Sequence, residues 1–431
     1  MRMVLCAALL AGCAHTETVT SQLTVFETLR REESAGVVAR RLVPLADGGV
    51  LVAGSVDGPF VADGRPRTCG DGGSLFLARL DGRGSSKFFG CTSAPAMDPY
   101  LGVTNDKIYL VASTRTGAGF ASARDPGPFQ RFPEPPPDEG EVAVALLDLE
   151  GTPLSRSVVA PGSISLRAAA VTPKGDAAVA LLDRKVRVVV GSPPGPLVEV
   201  ESKEVDWPPS STRLVLHPQS GFVEATIQDR VVTVRRLEAS GRVLWTWSRS
   251  AEAGVHVPMP YHLELAAQPS GGVLVGVTLR DNDERPKKEV GRAEVIRLDE
   301  KGKLRGTTAL RGGEEGRIFG LAPLEDDRFA VLFQLWSDGA PIKVDLGSGP
   351  TEFGSDAAVV VGIDPAIDTP MFIASLAGRT PADHALGYDV VSSGDTLHVV
   401  GWLSGDVVGD QRYRTSTNVP SGFWWRVTRQ R

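Results

Sequence analysis

The stretch RLVPLADGGVLVAGSV, residues 41–56, leads through a Gly- and Pro-rich excursion into SLFLARLDGRGSSKFFGC, residues 74–91. Apolar runs rich in Val, Leu and Phe are separated by the turns Asp47-Gly48-Gly49 and Asp81-Gly82-Arg83-Gly84. Asp-Gly between two such runs is hairpin chemistry, because glycine takes the left-handed backbone that a tight turn needs. The stretch therefore reads as four antiparallel strands written in one piece.

The outline recurs to the C-terminus. A second unit opens at Leu101 and turns at Asn105-Asp106 and at Glu150-Gly151; a third turns at 173–176. Four more follow, opening with RLVLHPQSGFVEATI (213–227), LELAAQPSGGVLVGVTL (263–279), RIFGLAPLEDDRFAVLFQLW (317–336) and YDVVSSGDTLHVVGWL (388–403). The seventh ends at GFWWRVTRQR, one strand short, while LTVFETL at 23–29 stands at the opposite end without a neighbour. A ring in which this N-terminal strand completes the last unit leaves no open ends. The fold class expected is all-β, a seven-bladed β-propeller of four-stranded antiparallel blades. A chain of 431 residues would otherwise suggest two or three domains, but stacked repeats share one long chain.

The recurring phrase, a polar Gly turn followed by V-L-V-A-G-S and later by L-F-L-A-R-L-D-x-x-G, resembles the bacterial seven-bladed β-propeller repeat family. Residues 47–55 with 75–84, and 270–277 with 293–302, carry it best. The third and fourth units lack the Ala-Gly ending of the second strand. The resemblance implies the fold; its motifs are turn and core residues, so it brings no catalytic residue with it.

The N-terminus reads as a targeting signal. Met1-Arg2 precedes a short apolar run, Met3 to Ala11, which ends in Leu10-Ala11-Gly12-Cys13. This resembles the bacterial lipobox, in which cleavage precedes a cysteine that is then lipidated. The expected division is signal peptide 1–12, lipidated Cys13 and tether 13–21, and one propeller domain 22–431. By the same resemblance, Ala14 after the cysteine favours the outer membrane. Of the four cysteines, Cys69 and Cys91 then remain as a pair in an oxidising compartment, and a disulfide is expected between them. The net charge of −6 argues against a general nucleic-acid binder, which carries a basic face for phosphates.

Strand alternation sorts the loops between two rims. Loops joining strands one to two and three to four are tight turns. Loops joining strands two and three are long in five units: 57–74, 115–140, 281–289, 337–355 and 404–421. Loops on a rigid scaffold carry binding and catalysis, so this rim is the expected working face. Its aromatic and imidazole residues, Phe60, Phe120, Phe129, Phe132, Trp336, Tyr413, His256 and His262, are the candidate binding residues. The alternative for most of the aromatics is to tuck the loops onto the ring.

Motifs for catalysis are thin. There is no G-x-S-x-G elbow, Walker sequence or HExxH, and Asp281, Asp283 and Glu284 lack the glycine and distal glutamate of an EF-hand. No metal, cofactor or catalytic residue is assigned. His398 lies within a strand and is expected to be a packed imidazole. The reading favoured is a lipid-anchored envelope module that binds a protein or glycan without catalysis. The alternative is an envelope enzyme, a lyase or hydrolase, working at the propeller axis. An axis lined by clustered acidic, basic and histidine side chains would speak against binding alone; an axis of Ala, Val and Ser would speak against an enzyme.

Overall fold

The computed structural model describes residues 17–28, 36–62, 65–67, 69, 73–104, 106–114, 120–122, 140–162, 164–182, 185–204, 211–228, 230–250, 259–280, 291–312, 316–336, 341–367, 369–415 and 419–430. They form a seven-bladed β-propeller of four-stranded antiparallel blades. From the axis outward, blade 1 contains Val37–Pro44, Val50–Val56, Ser74–Leu80 and the first half of Ser86–Val103. The second half of that long strand opens blade 2, followed by Lys107–Thr114, Glu141–Asp148 and Pro153–Pro161. The innermost strands of blades 3 to 7 are Ser165–Val171, Ser211–Leu216, Met259–Ala267, Gly316–Pro323 and His384–Ser393.

The D-x-x-G phrase has a local cause. Asp81, Asp148 and Asp299 each accept two backbone amides, from the residues two and four positions on, at 2.7–3.0 Å. The glycine three positions on takes a positive φ, +90° at Gly84, +81° at Gly151 and +77° at Gly302. Blade edges also interlock here: a Cβ on Gly302 would lie 2.7 Å from the Trp245 ring of the preceding blade.

Second strands sit between two neighbouring blades and lose the polar–apolar alternation of a half-exposed strand. AAVALL (177–182) and FAVLFQL (329–335) are buried throughout. Each fully buried Val, Leu or Phe contributes about 1.5–3 kcal/mol, so the blade seams form the core.

The ring closes through the N-terminal strand. Thr18–Thr28 pairs antiparallel with Ser421–Gln430, from Thr18 opposite Gln430 to Phe26 opposite Gly422, as the outermost strand of blade 7. This strand begins earlier than expected: residues 18–21, assigned from sequence to a tether, are paired backbone. TVTSQL alternates exposed and half-buried positions, a polar outer-strand pattern without the apolar run that marks inner strands. Blade 1 likewise begins at Val37 rather than Arg41.

The long loops have a shared destination. In blade 1, Phe60–Ala62 leaves its own blade and pairs with Glu27 and Thr28 on the closing strand of blade 7. In blade 2, Phe120–Ser122 pairs with Gly90–Thr92 on the outer strand of blade 1. In blade 7, Asp406–Val408 pairs with Ala377 and Gly378 of blade 6. The hairpin of blade 6, Ile342–Asp345 with Pro350–Phe353, packs Val344 and Leu346 in the cluster that holds Leu310 of blade 5. Each excursion thus reaches back to the preceding blade. The fifth, 281–290, lies outside the described residues.

Candidate functional site

Several innermost strands carry a β-bulge at one shared level. Ala39 pairs with Gly54 and Arg41 with Ala53, which leaves Arg40 unpaired. Arg167, Phe319 and Tyr388 are skipped at the same level in blades 3, 6 and 7, while in blade 5 the skipped residue, Tyr261, lies two ladder positions nearer the strand start. A bulge bends the strand and re-aims side chains. It also explains the Ala-Gly ending of the repeat phrase in blade 1. In blades 1 and 7 a facing glycine makes room for the bulge: a Cβ on Gly54 would lie 2.0 Å from the Val38 carbonyl oxygen and one on Gly401 would meet the Leu386 carbonyl oxygen. Blades 3 and 6 carry the bulge opposite Leu181 and Phe333 without a glycine, and blade 4 has an unbroken register.

An innermost strand turns one edge away from its own blade, and a buried main-chain N–H on that edge needs an acceptor. The preceding blade supplies it. Ser211 accepts from Leu263 at 3.2 Å, Thr278 from Ile318 at 3.3 Å and Gln334 from Gly387 at 2.9 Å. At the seam between blades 7 and 1 the acceptor is a carboxylate: Asp389 accepts from Leu42 at 3.2 Å.

The side chains at this level meet around the axis. Arg213 of blade 4 grips Glu264 of blade 5 with two prongs, Nε–Oε2 at 3.1 Å and Nη2–Oε1 at 2.7 Å. His262 Nε2 lies 3.2 Å from the same carboxylate. The Arg41 guanidinium stands 4.8 Å from the centre of the Tyr100 ring, and the Tyr100 hydroxyl donates to the Arg167 carbonyl at 2.5 Å. Phe319 ties together His262, Trp336 and Tyr388, with ring centres 5.3, 5.5 and 6.0 Å away. Arg40 lies over the Tyr388 ring at 5.1 Å and Arg317 over the Trp336 ring at 4.8 Å. Trp402 Nε1 donates to the Tyr388 hydroxyl at 3.2 Å, and His384 Nδ1 lies 2.9 Å from Asp356.

The two axial carboxyls titrate in opposite directions. Burial opposes the charge on Glu264, but Arg213 and His262 overcome it and hold the group at about 2. Burial dominates at Asp389, aided by the charge of Glu264, and lifts it to about 6 despite Arg41 and the Leu42 amide. Burial also opposes the charge on Arg41, yet Tyr100, Asp389 and Glu264 raise its pKa. The two environments thus push the carboxyls apart, Glu264 down and Asp389 up.

Of the residues expected at the working face, the structure brings His262 and Trp336 into this cluster. Phe60 is fully buried and packs on Phe89 and Phe76 at 4.9 and 6.4 Å, so it tucks its loop down and presents no surface. The expected disulfide, Cys69–Cys91, is present beside it. Tyr413 is half-buried against the core shared by blades 6 and 7, on the hairpin that covers the blade 6 edge. The backbone of Phe120 sits on the outer edge of blade 1. Cys13, Phe129, Phe132 and His256 lie outside the described residues. His398 is a packed imidazole, stacked on Trp424 at 5.7 Å and kept neutral by burial, which lowers it to about 4.

Sequence reasoning passed over Arg40, Arg41, Tyr100, Arg213, Glu264, Phe319, Tyr388 and Asp389. Their signal was present: HLELAA, RIFGLA, HALGYDVV and VVARRLV interrupt apolar first strands with charged or aromatic residues at one level. Among the described residues there is no helix able to cross a membrane and no cluster of three or more metal-ligating side chains.

No family model and no curated protein matches the chain. Among solved structures it is similar to the NanB sialidase of Streptococcus pneumoniae (K499G mutant), with 10% identity over 94% of this chain and 70% of that one and a TM-score of 0.42. It is also similar to a protein from Lactobacillus plantarum, with 14% identity, 83% and 95% coverage and a TM-score of 0.40. A third is the WD40 domain of Neurospora crassa Pan2, with 13% identity, 78% and 89% coverage and a TM-score of 0.36. Likenesses this distant say nothing of ligand or chemistry.

Proposed function

We propose that this chain is a lipid-anchored envelope β-propeller that binds its ligand at the axis, on the side of the long loops. One observation carries the location: the bulges withdraw Arg40, Phe319 and Tyr388 from the ladder at one level, where they meet residues of neighbouring blades. A scaffold alone has no use for such a convergence, which places charged and aromatic groups where apolar packing would be more stable. The long loops serve this reading as straps that hold the blades around the axis. The anchor rests on the sequence Leu10-Ala11-Gly12-Cys13.

Binding without catalysis is weakened by the same lining, which gathers acidic, basic and histidine side chains. The second reading, an axial enzyme, draws on Asp389. At three other seams the side chains that accept an innermost-strand amide are Ser, Thr and Gln, at a different level of the strand, and between blades 7 and 1 a carboxylate does so.

The test is retention of ligand from the native envelope fraction by wild-type protein, a Phe319→Ala, Tyr388→Ala double variant, and a chain with the 115–140 loop shortened. Loss in the double variant with retention in the loop variant is expected; the reverse would move the site to the loop tips. Cys13→Ala should release the protein from membranes, and unchanged fractionation would refute the anchor.

A further inference from the structure

We infer that the axial site takes a monoanionic ligand in which a carboxylate is borne on a ring, a sugar acid or an aromatic acid; this rests on the axial reading above. Phe319, Tyr388 and Trp336 form a run of edge-to-face rings, with Arg40 over one end and Arg317 over the other. Rings of this kind offer faces and edges to a flat or chair-shaped ligand. The Trp402 hydrogen bond fixes the Tyr388 ring in place before any ligand arrives.

Arg40 supplies the anion contact. Among the described residues it has no carboxylate partner; its recorded contact is the Tyr388 ring. A guanidinium is weakly hydrated, stacks on aromatic faces and presents a planar fork that matches a carboxylate. Arg213 is committed to Glu264, and Arg41 lies among Tyr100, Asp389 and Glu264, so of these three arginines Arg40 is the one with no carboxylate partner among the described residues. One guanidinium over the Tyr388 ring balances the single charge of a carboxylate, whereas a phosphate dianion would leave one of its two charges unanswered there.

The experiment is calorimetric titration of the intact protein at pH 7.5, where a phosphate monoester is a dianion, with four probes at millimolar concentration: a glucuronic-acid-containing disaccharide, benzoate, cellobiose and glucose 6-phosphate. Binding of the disaccharide acid or of benzoate, with cellobiose and the phosphate at least tenfold weaker, is the expected result, and whichever acid is tighter identifies the ring. Arg40→Gln is expected to weaken that binding by roughly tenfold to a hundredfold, the loss of one charged hydrogen-bonding partner, and Arg40→Lys to restore only part of it. Arg242→Ala, in an exposed turn on the smooth rim, should change nothing. Equal affinity for cellobiose, or no binding of either acid, would overturn the ligand class while leaving the axial site standing. Acid binding that is unaffected by both Arg40→Gln and Phe319→Ala would instead overturn the axial reading.

Discussion

Asp389 accepts a hydrogen bond from the backbone amide of Leu42, 3.2 Å away, across the seam where the last blade meets the first. At the corresponding seams of blades 4 to 7 the acceptor is an uncharged side chain. Carrying a charge into this position has a thermodynamic signature. Folding raises the Asp389 carboxyl from an ordinary 3.8 to about 6, so between these values the folded chain holds a proton that the unfolded chain has lost. Stability from this group therefore falls as pH rises from about 4 to about 6. Denaturant unfolding at half-unit steps over that window should show the stability of Asp389→Asn relative to wild type rising with pH. A difference that stays constant with pH would mean that folding does not raise the Asp389 carboxyl.

Glu264 has the opposite sign. Its pKa is depressed to about 2 from an ordinary 4.5, so its contribution is fully present above 4.5 and is lost on acidification toward 2. Removing its partner should be severe. Arg213→Met leaves a carboxylate without its guanidinium among buried groups and is expected to cost about 3–5 kcal/mol in chemical denaturation. Adding Glu264→Leu should recover much of the loss; a double variant no more stable than Arg213→Met would contradict the pairing.

The Cys69–Cys91 bond closes a span of 22 residues and confines the excursion whose Phe60–Ala62 strand covers the closing strand. Cys69→Ser with Cys91→Ser should lower stability by about 3 kcal/mol on the loop-entropy account. Amide exchange should quicken first at residues 60–62 and at Glu27 and Thr28. Loss of protection spread evenly around the ring would show that the bond does not act through this strap.

Ring closure can be separated from anchoring by two truncations. Removing residues 18–28 deletes an entire outer strand and its pairing to 422–430, and cooperative unfolding should be lost. Removing residues 1–16 takes away none of that pairing and should leave the unfolding midpoint unchanged. Comparable midpoints for the two truncations would mean that the ring closes by other means.

The architecture was legible because its grammar is local. Asp-x-x-Gly turns and short apolar runs report strand boundaries directly, and an odd strand at each end implies closure. The disulfide was legible from compartment logic and the placement of two cysteines in one unit. The site was not, because no single blade contains it. Arg213 and Glu264 lie 51 positions apart and become partners only when blades 4 and 5 are neighbours in the ring. The loops drew attention by length, yet Phe60 and Tyr413 serve packing, and the polar residues that matter sit inside strands whose neighbours are apolar. A bulge is equally hidden: in blade 1 it shows as the Ala-Gly on the facing strand, whereas in blades 3 and 6 the facing Leu181 and Phe333 give no sign of it.

The central claim is that ligand meets this protein at the axis and not on its outer edges. Benzoylphenylalanine in place of Phe319, compared with the same residue in place of Leu154, exposed on the outer strand of blade 2, tests it most directly. After irradiation in the native envelope and mass measurement of the purified protein, a discrete adduct at position 319 and none at 154 is the predicted result. An adduct at 154 with position 319 unmodified would contradict the account.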